Sequence, residues 1–207
     1  MDEAGLRTAH IVGNSLGGYV ALQLAARGRA ESVVAIAPAG GWAAGDDSYR
    51  GTLAHFTTML ASVRQAVPHV DAIVARPEGR RLATQFITER YEHIPAELIA
   101  HQFVGAAGCT GASDLIDLSL TEGWTLPAAP LACPLRLVWG TEDKLLTWPR
   151  TAARFRQEPF EGADWVVMDG VGHCPQLDVP DLTAELILEF ATGAVPGGTG
   201  RPADASR

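Results

Sequence analysis

Hydrophobic positions fall into two rhythms: short apolar runs bounded by glycine and proline at both ends of the chain, and longer helical periods between them. Residues 8–12, with Ile11 and Val12, end at Gly13-Asn14-Ser15-Leu16-Gly17-Gly18, the pattern of a buried strand meeting a tight turn. Val20, Leu22, Leu24 and Ala25 then follow a helical pattern up to Arg27-Gly28, where glycine stops the helix. A second apolar run, residues 32–37 with Val33, Val34 and Ile36, ends at Pro38-Ala39-Gly40-Gly41. Strand, helix and strand in so short a stretch form a βαβ unit, whose strands lie parallel through a right-handed crossover.

Residues 46–130 change texture: helical periods broken by Pro68, Pro77 and Pro95, with few β-branched runs, predict a helical insertion. The α/β rhythm resumes with a strand at residues 135–139 before Gly140, a helix near 149–157, a strand at 164–168 before Asp169-Gly170, and a closing helix after Pro180. The expected organisation is a core of residues 1–45 and 131–192, the insertion between them, and a disordered Gly/Pro-rich tail at 193–207. About four parallel strands, ordered as in the sequence, need helices on both faces, and the segments 17–27, 149–157 and 180–191 supply them.

With 207 residues, 47% of them hydrophobic, the chain can bury a core without disulfides or metals. Its net charge of −8 repels phosphate backbones, and Arg80-Arg81 and Arg27/Arg29 form no basic stripe, so nucleic acid is excluded as a partner. Cys109, Cys133 and Cys174 are odd in number and have no ligand spacing, which suits reduced thiols in a cytoplasm and no metal site. No apolar window is long enough to span a bilayer, and Met1-Asp2-Glu3 is acidic where a signal peptide begins with a cation.

Gly13-Asn14-Ser15-Leu16-Gly17 is a G-x-S-x-G sequence between a predicted strand and a predicted helix, the setting in which a serine is lifted above a sheet on a sharp turn. A serine hydroxyl is a weak nucleophile and needs a histidine base oriented by a carboxylate. Asp143 follows the 135–139 strand in Gly140-Thr141-Glu142-Asp143, and His173 follows the 164–168 strand in Gly170-Val171-Gly172-His173-Cys174-Pro175. Glu142, Asp117 and Asp169 are the competing acids. His10, His55, His69, His93 and His101 lack such a setting. Cys174 reads as a small buried hydrophobe, and the five tryptophans as packing residues.

These three motifs, in the order Ser, Asp, His, resemble the α/β-hydrolase superfamily. The resemblance implies a parallel sheet of that type under a helical cap at 46–130. It makes Ser15 the nucleophile, Asp143 the orienting acid and His173 the general base, with the Leu16 N–H as an oxyanion donor. The implied activity is a serine esterase-type hydrolysis of a small, mostly apolar acyl substrate, with no cofactor. Two alternatives stand beside it: a carbon–carbon hydrolase of ring-cleavage products, some of which carry a similar Gly-Asn-Ser-x-Gly-Gly turn, and an impaired or purely binding relative. Serine at the turn argues against the dehalogenase and epoxide-hydrolase branches, which use aspartate there. Superfamily members also place several strands, and a second oxyanion donor, ahead of the nucleophile strand. Residues 1–6 resemble the last turn of the preceding helix, so an amino-terminal truncation is expected, leaving a sheet edge open to a partner chain or a second copy.

Overall fold

The computed structural model describes residues 1–157 and 159–193. Four strands, β1 (Ala9–Asn14), β2 (Ala30–Ile36), β3 (Leu135–Gly140) and β4 (Asp164–Met168), form one parallel sheet in the order β1-β2-β3-β4. The register aligns Asn14, Ile36, Val138 and Val166 in one row. Every strand therefore ends at the same edge, and the segment leaving each strand starts there. β3 is buried along its whole length and β2 from Ser32 onward, as interior strands covered on both faces must be. β1 pairs on one side only among the described residues, and Val12 on it and Val20 on the following helix are both more than two-fifths exposed.

One face is covered by α1 (Leu16–Ala26), which buries Gly18, Ala21, Leu22 and Ala25, positions three and four apart that form a single stripe. Ala21, Leu22 and Ala25 pack with Val33, Leu137 and Trp139 of the sheet and with Ala152 and Phe155. The other face carries α8 (Pro180–Thr192), whose Leu186, Ile187 and Phe190 pack on Val34, Ile36, Val138 and Met168. Arg136, buried within β3, is neutralised at that face: it pairs with Asp164 at 2.6 Å, donates to the Leu186 carbonyl at 2.7 Å and stacks over Phe190.

Between β2 and β3 the chain forms α2 (Ser48–Ala66), α3 (Val70–Val74), α4 (Pro77–Thr84), α5 (Ala96–Ala107) and α6 (Ala112–Glu122), and no strand. This segment has its own small core of Val70, Val74, Ile94 and Ile99, joined by Leu177 from α7 (Pro175–Asp178). Proline opens both α7 and α8, where its missing N–H costs nothing.

Three local expectations shift. β1 runs two residues past its apolar core because Gly13 and Asn14 continue the parallel ladder opposite Ala35 and Ile36. The helix expected at 149–157 is a 3-10 helix, Arg150–Arg156: three residues per turn stack Ala152 on Phe155, and both are fully buried against the sheet. The short α7 separates Cys174 from the closing helix. Of the tail assigned to disorder, residues 194–207 lie outside the described residues.

Phe155 lies 6.2 Å from the Trp139 ring and 5.4 Å from Phe160. Phe155→Ala is expected to lower stability by about 3–5 kcal/mol. Leu188→Ala, at a site 61% exposed, is expected to cost less than about 0.5 kcal/mol. Urea unfolding of the two variants checks the contrast.

Candidate active site

Ser15 occupies the single residue between β1 and α1. Its φ of 57° and ψ of −118° lie in a region that side chains avoid, at a cost of about 1–3 kcal/mol. The surroundings hold it there: Ser15 N–H donates to the Ile36 carbonyl at 2.8 Å, and the Ser15 carbonyl accepts from Tyr19 N–H and Ala39 N–H, each at 3.1 Å. The first glycine of the motif is needed for space, since a Cβ on Gly13 would stand 2.1 Å from the Gly17 carbonyl oxygen. Gly17 faces open space. Leu16 begins α1, where the N–H groups of the first turn have no partner inside the helix and point toward whatever lies ahead of it.

Asp143 and His173 are each only 3% exposed. Asp143 Oδ1 accepts from the N–H groups of Leu145 at 2.9 Å and Leu146 at 2.7 Å, a turn that the acid builds from its own following residues. Its Oδ2 lies 2.7 Å from His173 Nδ1. The ring nitrogen bound to the carboxylate is thus fixed, and Nε2 is the nitrogen left for proton transfer. The two loops meet because β3 ends in glycine: a Cβ on Gly140 would lie 2.1 Å from the Val171 carbonyl oxygen, which instead accepts from Glu142 N–H at 2.9 Å. Glu142, Asp117 and Asp169 are exposed, and the carboxylate bonded to His173 is that of Asp143.

Ser15 is connected to His173 through its neighbour Asn14. The Asn14 amide donates to the Ile36 carbonyl at 3.1 Å and to the His173 carbonyl at 3.0 Å. Its Oδ1 accepts from Cys174 Sγ at 3.3 Å and Gln176 Nε2 at 3.2 Å, so all four hydrogen-bonding capacities of the side chain are used. Among the described residues the Ser15 hydroxyl itself makes no hydrogen bond. Ser15, Asp143 and His173 are the candidates that the sequence motifs single out, whereas Asn14 is an unspecified position of G-x-S-x-G. The structure gives Asn14 a role that only its tertiary partners reveal.

Cys174 is buried beside His173, and burial, followed by the nearby charges of Asp143 and Asp178, pushes its thiol up to about 12. It stays protonated and a poor nucleophile at neutral pH. Trp42 and Trp139 lie in the core. Among the described residues no group of three or more His, Cys, Asp or Glu side chains could hold a metal, and no helix is long and apolar enough to cross a membrane.

Two outcomes follow from this geometry. Gly13→Ala is expected to destabilise the fold by several kcal/mol because backbone must move, whereas Gly17→Ala, inside α1 and unobstructed, is expected to be neutral or stabilising by up to about 1 kcal/mol; thermal unfolding separates them. Iodoacetamide applied to the native protein is expected to alkylate exposed Cys109 and spare Cys174, with peptide mass mapping as the readout.

Residues 2–186 match the alpha/beta hydrolase family. Epoxide hydrolase EphH of Mycobacterium tuberculosis (strain ATCC 25618 / H37Rv) is 33% identical over 198 residues, which cover 95% of this chain and 92% of EphH. Among solved structures, a bacterial membrane phospholipase A superposes with a TM-score of 0.62 at 22% identity, covering 93% of this chain and 60% of the phospholipase. The 2-hydroxy-6-oxo-6-phenylhexa-2,4-dienoate hydrolase of Rhodococcus sp. strain RHA1 superposes with a TM-score of 0.60 at 21% identity, covering 91% and 66%. The chain thus spans 60% and 66% of the length of these two solved relatives and 92% of EphH. Sheet, helices and sequence match agree, and the chain belongs to the alpha/beta hydrolase family.

Proposed function

We propose that this protein is a serine hydrolase that cleaves esters or related acyl compounds through an acyl-enzyme on Ser15. The observation that carries the reading is the buried 2.7 Å bond between Asp143 and His173, at the same sheet edge as a serine held in a strained turn. In this reading His173 Nε2 takes the hydroxyl proton as Ser15 Oγ attacks the acyl carbon, and the alcohol leaves with that proton. The Leu16 N–H donates to the oxyanion that forms. Water then attacks the acyl-enzyme, His173 again serving as base, and the acid is released. The imidazolium of each step is stabilised by the Asp143 carboxylate bonded to Nδ1. The helices between residues 48 and 122 serve as a cap whose apolar side chains favour an apolar acyl group. The chemistry is complete without a cofactor.

A second reading comes from EphH, whose name is that of an epoxide hydrolase. Epoxide opening by a carboxylate nucleophile leaves an ester, and water can attack its carbonyl. Opening by Ser15 would leave an alkyl ether with no carbonyl to attack, and turnover would stop there. Serine at this position therefore favours acyl transfer. The Gly-Asn-Ser-x-Gly-Gly turn keeps carbon–carbon hydrolysis of ring-cleavage products as a variant within the same serine chemistry.

A fluorophosphonate is expected to label the parent protein and not Ser15→Ala. Asp143→Asn, which keeps shape but removes the charge, is expected to lower p-nitrophenyl ester turnover by about 10,000-fold. A loss of less than about tenfold would move the acid's role elsewhere. Diol formation from an aryl epoxide that survives Ser15→Ala would favour the second reading.

A further inference from the structure

Resting on the roles given to Ser15, Asp143 and His173, we propose that Asp178 is a positioning residue: it fastens a turn of the helical segment, residues 87–90, to the loop that carries His173, and so fixes where the imidazole stands. Asp178 ends α7, five residues beyond His173, and is 3% exposed. Among the described residues it has no cationic partner, so its carboxylate is satisfied by hydrogen bonds alone. Oδ1 accepts from the Thr88 hydroxyl and from the N–H groups of Glu89 and Arg90, each at 2.8 Å, and Oδ2 accepts from Gly172 N–H at 2.6 Å. A buried carboxylate is costly in a place that needs only packing, and four converging donors are the arrangement that makes it tolerable.

The bonds bracket His173. On one side Gly172 N–H is held by Asp178; on the other, Cys174 N–H donates to the Ile87 carbonyl at 2.8 Å. The His173 carbonyl between them is held by Asn14. With its backbone fixed at three consecutive residues, the His173 ring has little freedom beyond its own side-chain rotation, and Asp143 removes that. The same turn reaches the acid loop as well, since Glu89 pairs with Lys144, the residue after Asp143. α7 is seated on the helical segment by a second bond, from the His93 ring to the Leu177 carbonyl at 2.7 Å, and by Leu177 packing on its core. Displacement of the helical segment is thereby transmitted to both catalytic loops.

Asparagine at 178 has one oxygen and one NH2 group, so it must turn a donor toward either Gly172 N–H or the Thr88–Arg90 donors, and one attachment is lost. The test reads two signals in Asp178→Asn: the downfield proton resonance of His173 Nδ1–H bonded to Asp143, and the rate at which a fluorophosphonate labels Ser15. With circular dichroism unchanged, the resonance is expected to broaden or vanish and labelling to slow by about 100-fold, the scale of an ångström-sized misplacement. Thr88→Val keeps the carboxylate and removes one donor, with labelling expected to slow about tenfold; it decides the matter by the same two signals if Asp178→Asn fails to fold. A folded variant that keeps the resonance and labels within about twofold of the parent overturns the proposal. A parent that shows the resonance but resists the fluorophosphonate contradicts the serine-hydrolase reading instead, and the resonance in the variants still decides the role of Asp178.

Discussion

Parallel pairing is the constraint on which the rest depends. Parallel strands must each be followed by a crossover, so all four strands deliver their carboxyl ends to one edge, and the residues that leave the strands there become neighbours. Ser15 leaves β1, Asp143 follows β3 and His173 follows β4. The register that sets Asn14 level with Ile36, Val138 and Val166 fixes the height from which each loop starts. Residues more than a hundred positions apart meet without any segment of the chain having to thread another.

That edge would be of little chemical use if it were loose. Asp143 and His173 are almost wholly buried, so their bond acts in a medium that screens it weakly, and the carboxylate would be costly to bury without such partners. The remaining lone pairs of Asp143 go to backbone N–H groups, as do those of Asp178 apart from the bond to Thr88. Asn14 spends three of its four hydrogen bonds on the segment that carries His173, at His173, Cys174 and Gln176, and the fourth on the Ile36 carbonyl of β2. Strain at Ser15 is maintained by this same set of contacts rather than by its own conformational preference.

Much of this was legible in the sequence because it is local. Strand runs ending in glycine, the G-x-S-x-G turn at Ser15, and acid and histidine placed just past β3 and β4 are all short-range patterns. What was not legible is what distant partners decide. Gly13 and Asn14 read as turn residues, yet β2 keeps them in the ladder. The 3-10 helix at Arg150–Arg156 shares its i, i+3 spacing of apolar residues with an α-helix, and only packing on the sheet distinguishes the two. Asp178 reads as one more acid before a proline, and its donors lie 88 to 90 residues back in the chain apart from Gly172.

The proposed chemistry puts the acyl group on Ser15 during turnover. The direct measurement is to mix the protein with p-nitrophenyl acetate, quench in acid within the first turnover, and map the peptides by mass. A single acetyl group on Ser15, absent after a longer incubation, is expected. Acetyl found only on other residues, or none during active turnover, would contradict it.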